Sequence, residues 1–180
     1  MVLVLAILVL FYIITVFNGL ITLRNNIDKA LANIDVLLKQ RTDLIPNLVE
    51  TVKGYMKYER SMLEDIARLR TSMLGAQTLG EKAKNSEAMS VALKSLFAVA
   101  ENYPKLKASD NFLELQKQLA AIENQIADRR EFYNDSVLLF NTRIRSLPDM
   151  VLAIPLGFRE REYFKVVEEE KAPVQVKIKG

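Results

Sequence analysis

From Met1 to Leu23 the chain reads MVLVLAILVLFYIITVFNGLITL, with no charged side chain before Arg24. A bilayer core about 30 Å thick needs roughly 20 apolar residues in helical form to cross it. The run from Val2 to Phe17 is nearly all aliphatic or aromatic, and Leu20, Ile21 and Leu23 extend it. The stretch is therefore read as a membrane anchor over residues 1–23. A cleaved secretory signal would carry a basic start and a small-residue cleavage site. Neither is present, and the chain has no cysteine for a lipoprotein signal. A buried core helix is the other alternative, but nothing else in the chain is apolar enough to cover so uniformly apolar a surface.

Flanking charge suggests an orientation. Arg24, Lys29, Lys39 and Arg41 follow the span and nothing basic precedes it. The positive-inside rule then puts the amino terminus outside and the larger domain in the cytoplasm, at the cytoplasmic membrane.

The residues beyond the anchor suffice for one domain with its own core. Lys and Arg total 25 against 22 Asp and Glu, with both signs interleaved. That is ordinary surface rather than the basic stripe of a nucleic-acid binder. With no Cys and no His, thiol nucleophiles, thiolate metal sites and the commonest general base are unavailable. A di-metal carboxylate site in a helical bundle draws on Glu-x-x-His pairs, and an all-carboxylate site would need a denser acidic cluster. Phosphate-cradling glycine loops and nucleophile elbows are absent too. The expectation is a protein with no cofactor, no metal and no catalytic residue.

Apolar periodicity predicts an all-α chain in which one transmembrane helix continues into an antiparallel four-helix bundle. Leu20, Leu23, Ile27, Ala30, Ile34 and Leu37 carry the first helix, in phase with the anchor, to about Gln40, with Asn18-Gly19 the place where the rod could bend. Thr42-Asp43 reads as the cap of a second helix with Pro46 in its first turn. Its heptad runs through Ile45, Leu48, Val52, Tyr55, Met62, Ile66, Leu69, Met73 and Ala76, interrupted by Glu59. Residues 77–86 read as a loop, and a third helix spans about Glu87 to Glu101, stopped at Tyr103-Pro104. A fourth helix, capped by Ser109, Asp110 or Asn111, with Asn111 and Glu114 a capping-box-like pair, carries Phe112 through Ile144 and ends before Leu147-Pro148. The bundle thus occupies 24–147. The tail, 148–180, is charge-rich and holds VQVKIK, whose period-two alternation suggests a short strand.

Polar residues recur every seven positions beside the apolar stripes: Asn26, Asn33 and Gln40, then Asn134 and Asn141. Such amides set register at helix seams more readily than they catalyse, although a polar ligand groove is the alternative. Charges cluster at Arg41, Asp43, Asn47 and Glu50, and again at Glu123, Asp128, Arg129 and Arg130. Glu59 and Arg129 each interrupt an apolar register, which makes them a candidate buried ion pair.

Three long segments, NIDVLLKQRTDLIPNLVETVKGY, AVAENYPKLKASDNFLELQKQL and IENQIADRREFYNDSVLLFN, together with PLGFREREYF, resemble the LemA family of bacterial and archaeal membrane proteins. The resemblance covers nearly the whole chain. One departure is Leu31-Ala32, where the family often has an aromatic residue. The resemblance implies one amino-terminal span, a four-helix bundle and a short amino terminus outside, with links to envelope organisation and stress. The motif positions it carries over are Asn33, Asp35, Arg41, Asp43, Pro46, Asn47, Glu50, Tyr103, Pro104, Asn111, Phe112, Glu123, Arg130, Tyr133, Asn134 and Asn141, none with a catalytic role. The functional expectation is a non-enzymatic, membrane-tethered scaffold that binds protein partners or itself. The alternative is a ligand-binding or hydrolytic bundle using inter-helix amides and carboxylates.

Overall fold

The structure is a computed structural model that describes residues 1–56 and 59–165. Its described residues are helical, turn or irregular, with no strand among them. Among the described residues six helices follow in order: α1 Val2–Lys53, α2 Arg60–Gly75, α3 Leu79–Ala100, α4 Pro104–Lys107, α5 Asp110–Arg145 and α6 Met150–Ala153. The possible strand at VQVKIK lies outside the described residues.

The 52 residues of α1 make a rod about 78 Å long. It passes without a break through Asn18-Gly19 and through residue 23, where the anchor was expected to end. It also passes through Thr42-Asp43, which corrects the expected start of a second helix there. The reason is Arg41. Ile34, Leu38, Arg41, Ile45, Leu48 and Val52 form one unbroken buried stripe, so the charged residue that looked like part of a turn is a core position. Thr42 does not cap anything; its hydroxyl donates back to the Lys39 carbonyl at 2.8 Å. The chain turns instead after Lys53, and Met56 plugs the core below the turn.

Pro46, inside α1, has no N–H to offer the Thr42 carbonyl one turn back. Arg70 of α2 supplies the missing donor: its Nε reaches the Thr42 oxygen at 2.9 Å. The proline therefore docks α2 rather than ending α1.

The expected loop at 77–86 is mostly helix, because α3 begins at Leu79. Thr78 and Glu81 form a capping box: Glu81 N–H donates to Thr78 Oγ1 at 3.2 Å, and Thr78 N–H to Glu81 Oε2 at 3.0 Å. The polar composition of this segment belongs to a helix start. At α5 the N-cap position falls on Ser109, and the Asn111–Glu114 box is not made; Glu114 accepts from Gln118 instead.

Residue pairs fix the packing. Gly19 lies beside Arg143 and Arg41 meets Glu123, so α1 and α5 run antiparallel. Asn85 reaches the Ser72 carbonyl, so α2 and α3 form an antiparallel hairpin against them. Two apolar clusters fill the interior. A proximal core joins Val16–Leu38 of α1 to Ile122–Ile144 of α5, with Ala153 and Phe164. A distal core joins Ile45–Met56 to Leu63, Ile66, Met89–Ala100, Leu106 and Phe112–Leu119.

Candidate functional site: a buried arginine layer and a clamped carboxyl-terminal strap

Arg41 sits between the two cores and is 0 % exposed. Its Nη1 lies 2.9 Å from Glu123 Oε2 on α5. Its Nη2 donates to Ser90 Oγ at 2.8 Å and to the Ser86 carbonyl at 3.2 Å, both on α3. Ser90 Oγ in turn donates to Glu123 Oε1 at 2.7 Å. One guanidinium thus ties three helices together. Burial lowers the Arg41 pKa from its ordinary value, while the charges of Glu123 and Glu87 pull it back up. Room for so large a side chain comes from α3, where Ala83, Ser86 and Ser90 are small and buried. Ser86 was missed because it fell in the expected loop, and Ser90 because only apolar residues of the expected third helix were read as facing the interior. The three- and four-residue spacing of Ala83, Ser86 and Ser90 was the available signal.

Two further pairs extend the layer. Lys82 of α3 grips both oxygens of Asp35 on α1, at 2.7 and 2.9 Å. Arg130 of α5 faces Glu87 at 3.8 Å and stacks on the Phe164 ring at 5.0 Å.

The seven-residue amides of α5 have a different task. Asn141 donates to the Arg161 carbonyl and accepts from the Arg161 N–H, both at 2.9 Å. Asn134 accepts from the Phe164 N–H at 2.8 Å and donates to its carbonyl at 3.3 Å. The Tyr133 hydroxyl donates to the Glu162 carbonyl at 2.9 Å, and burial raises its pKa. Each amide thus satisfies one residue's backbone donor and acceptor, as a neighbouring strand would. Residues 158–165 are held as an irregular strap along the proximal core, where Phe164 is buried and packs edge-on against Tyr133. Arg161 Nη2 also reaches Asp28 of α1 at 3.1 Å.

The expected Glu59–Arg129 pair is not made. Arg129 is exposed on α5, while Glu59 accepts a hydrogen bond from Tyr103 at the opposite end of the molecule's core. Reading α2 as starting before residue 45 gave Glu59 a core register, whereas it stands at the N-cap of a later helix. The buried pair is Arg41–Glu123. Asn33, Asp43, Asn47, Glu50 and Asn111 are exposed, with Asp43 bound to Lys39. Asn33, Glu123 and Arg130 do not converge: Glu123 and Arg130 are engaged with Arg41 and Glu87, and Asn33 faces outward. No three Asp or Glu side chains gather as a metal site among the described residues.

The profile of the LemA family matches residues 30–178. The chain is 25 % identical over 184 aligned residues to magnetosome protein MamQ 2 of Paramagnetospirillum magneticum, covering 88 % of this chain and 68 % of that protein. It is 24 % identical over 174 residues to magnetosome protein MamQ of Magnetospirillum gryphiswaldense, covering 82 % and 64 %. It is also 24 % identical over 161 residues to protein LemA of Metamycoplasma hominis, covering 87 % and 72 %.

Proposed function

The chain belongs to the LemA family, and from that premise we propose that it acts as a non-enzymatic scaffold, tethered to the cytoplasmic membrane and presenting a rigid helical body to protein partners or to further copies of itself. The observation that carries this reading is the Arg41 layer. Both Nη groups of its cation, its carboxylate and its hydroxyls are paired with one another across α1, α3 and α5, and the buried Arg41 Nε alone of the guanidinium nitrogens has no partner. A catalytic or ligand site keeps such groups aimed at an open cleft. Here they brace helices.

Membrane association is supported by α1, the helix long and apolar enough to cross a bilayer. Because α1 runs unbroken from its apolar end to the distal core, tether and body form one lever. Confinement beside a membrane raises effective concentration, so weak lateral contacts suffice for assembly. The proposed orientation, amino terminus outside and body in the cytoplasm, is supported by Arg24 and Lys29 just beyond the span. We extend the proposal to a role in envelope organisation or stress response, which family membership alone supports.

Detergent extraction with size analysis, combined with proximity labelling in cells, tests the scaffold. Reproducible neighbours or self-association are expected; a monomer without neighbours overturns it. A single cysteine replacing the exposed Lys94 tests orientation: it should resist an impermeant thiol reagent in intact cells, and its modification would reverse the topology.

A further inference from the structure

Every residue of α1 from Val2 to Phe11 is exposed, and the stretch measures about 15 Å. That is half of a hydrocarbon core about 30 Å thick. From Tyr12 onward α1 has company. The Tyr12 hydroxyl donates to Asp149 Oδ1 at 3.3 Å, and Phe17 packs edge-on against Phe158 at 6.1 Å between ring centroids. Arg143 crosses directly over Gly19, where an added Cβ would fall 2.8 Å from Nη1. The uncharged run continues through Leu23, with Arg24 the first charge, so if α1 spans a bilayer residues 12–21 lie in hydrocarbon too. Whatever lies against those residues enters the membrane with them.

We propose that Leu147–Gly157, the turn carrying α6, is a second membrane-embedded element, inserted into the leaflet nearest the helical body. The proposal rests on the reading of α1 as a span.

The chemistry of the turn fits a hydrocarbon environment. Leu147 is 71 % exposed, Val151 62 % and Ile154 70 %, and Leu156 extends the same apolar surface. In water they would form an unexplained greasy patch continuous with the bare end of α1. The backbone of the turn is largely self-paired, apart from the Leu147 and Asp149 N–H groups at its entrance. From Met150 to Phe158 every residue except Pro155, which has no N–H, donates its N–H to a carbonyl within the turn or its flanks. Irregular backbone that leaves donors unpaired is not tolerated against lipid. The turn's one buried-side acid, Asp149, is matched by Arg143 and Tyr12, as intramembrane charges are. At the edge of the turn Arg24 and Arg159 are exposed, at the level where cationic side chains meet headgroup phosphates, while Arg145 is paired with Glu160 at 2.9 Å.

The chain has no cysteine, so single replacements of Leu5, Val91, Val151 and Ile154 can carry an environment-sensitive fluorophore in the full-length protein. The protein is reconstituted in phosphatidylcholine–phosphatidylglycerol vesicles, with nitroxides placed near the headgroup or at the acyl-chain end. Labels at 151 and 154 should lose most of their emission to the shallow nitroxide, while the label at 91 keeps its own. If Leu5 is quenched and 151 and 154 stay in water, the span stands and the embedded turn is wrong. If 151 and 154 are shielded from water but not quenched, and Ile154→Cys forms disulfide dimers, the patch is covered by a second copy and the proposal fails. A label at Leu5 that remains in water removes the span and the proposal together.

Discussion

Arg41 of α1 and Glu123 of α5 meet at 2.9 Å on the level where the proximal core ends and the distal core begins. Arg41 is enclosed, whereas the Glu123 side chain keeps 36 % of its exposure. The pair is therefore asymmetric: water can reach the carboxylate but not the cation. Removing Glu123 strands a buried charge, which costs about 3 kcal/mol at a site of this kind. Glu123→Ala should lower stability by that amount in urea unfolding of the detergent-solubilised chain followed by circular dichroism. Arg41→Met with Glu123→Leu, which removes both charges, should recover most of the loss. Equal losses in the single and double variants would refute the coupling.

Pro46 and Arg70 give a second coupled pair. Arg70→Ala leaves the buried Thr42 carbonyl without its donor, at a cost of about 1–3 kcal/mol. Pro46→Ala restores an N–H at the helical position that faces this carbonyl. In the Pro46→Ala background, Arg70→Ala should then be close to neutral. A double-mutant cycle measures this, and additivity would show that the two residues act independently.

Asn134 and Asn141 predict how the strap is released. Asn141→Ala should speed hydrogen exchange at the Arg161 amide, and Asn134→Ala at the Phe164 amide, each with a stability loss of about 1 kcal/mol. Asn141→Asp keeps the acceptor for the Arg161 N–H but loses the donor to its carbonyl, so exchange there should change less than with alanine. Exchange rates in all three variants equal to those of the unaltered chain would show that the amides do not hold the strap.

Glu81 predicts a pH response at the start of α3. Backbone N–H groups of Thr78 and Gln77 bind its carboxylate and hold its pKa below the ordinary 4.5. A carboxylate depressed on folding contributes its full stability above the unfolded pKa and loses it as pH falls through the folded one. Amides of Gln77 and Thr78 should therefore be protected at neutral pH and lose protection only below pH 4.5. Glu81→Gln should flatten that acid-side transition; an unchanged profile would assign it to another group.

How much was legible from residues alone differs by element. The apolar run at the amino terminus and the stripes from Ile27 to Ile144 exposed the helices, because burial needs apolar residues at three- and four-residue spacing whatever the partners are. Boundaries were less secure wherever a polar residue serves the interior. Arg41, Thr42 and Pro46 look like a turn in one dimension, since only the neighbouring helices supply Glu123, Ser90 and Arg70 to satisfy them. The seven-residue repeat of Asn134 and Asn141 was visible, but the backbone it clamps is twenty residues or more further along the chain.

Sequence by itself thus determined that the chain has an apolar helix long enough to span a bilayer, an all-helical body and no His or Cys chemistry. These are properties of composition and local period, which need no partner to be read. Tertiary structure alone decided which charge is buried, where α1 ends, and that the Leu147–Gly157 turn lies beside the apolar helix rather than beyond it. Pairing energies depend on distances between segments remote in sequence, and only the folded chain sets those distances.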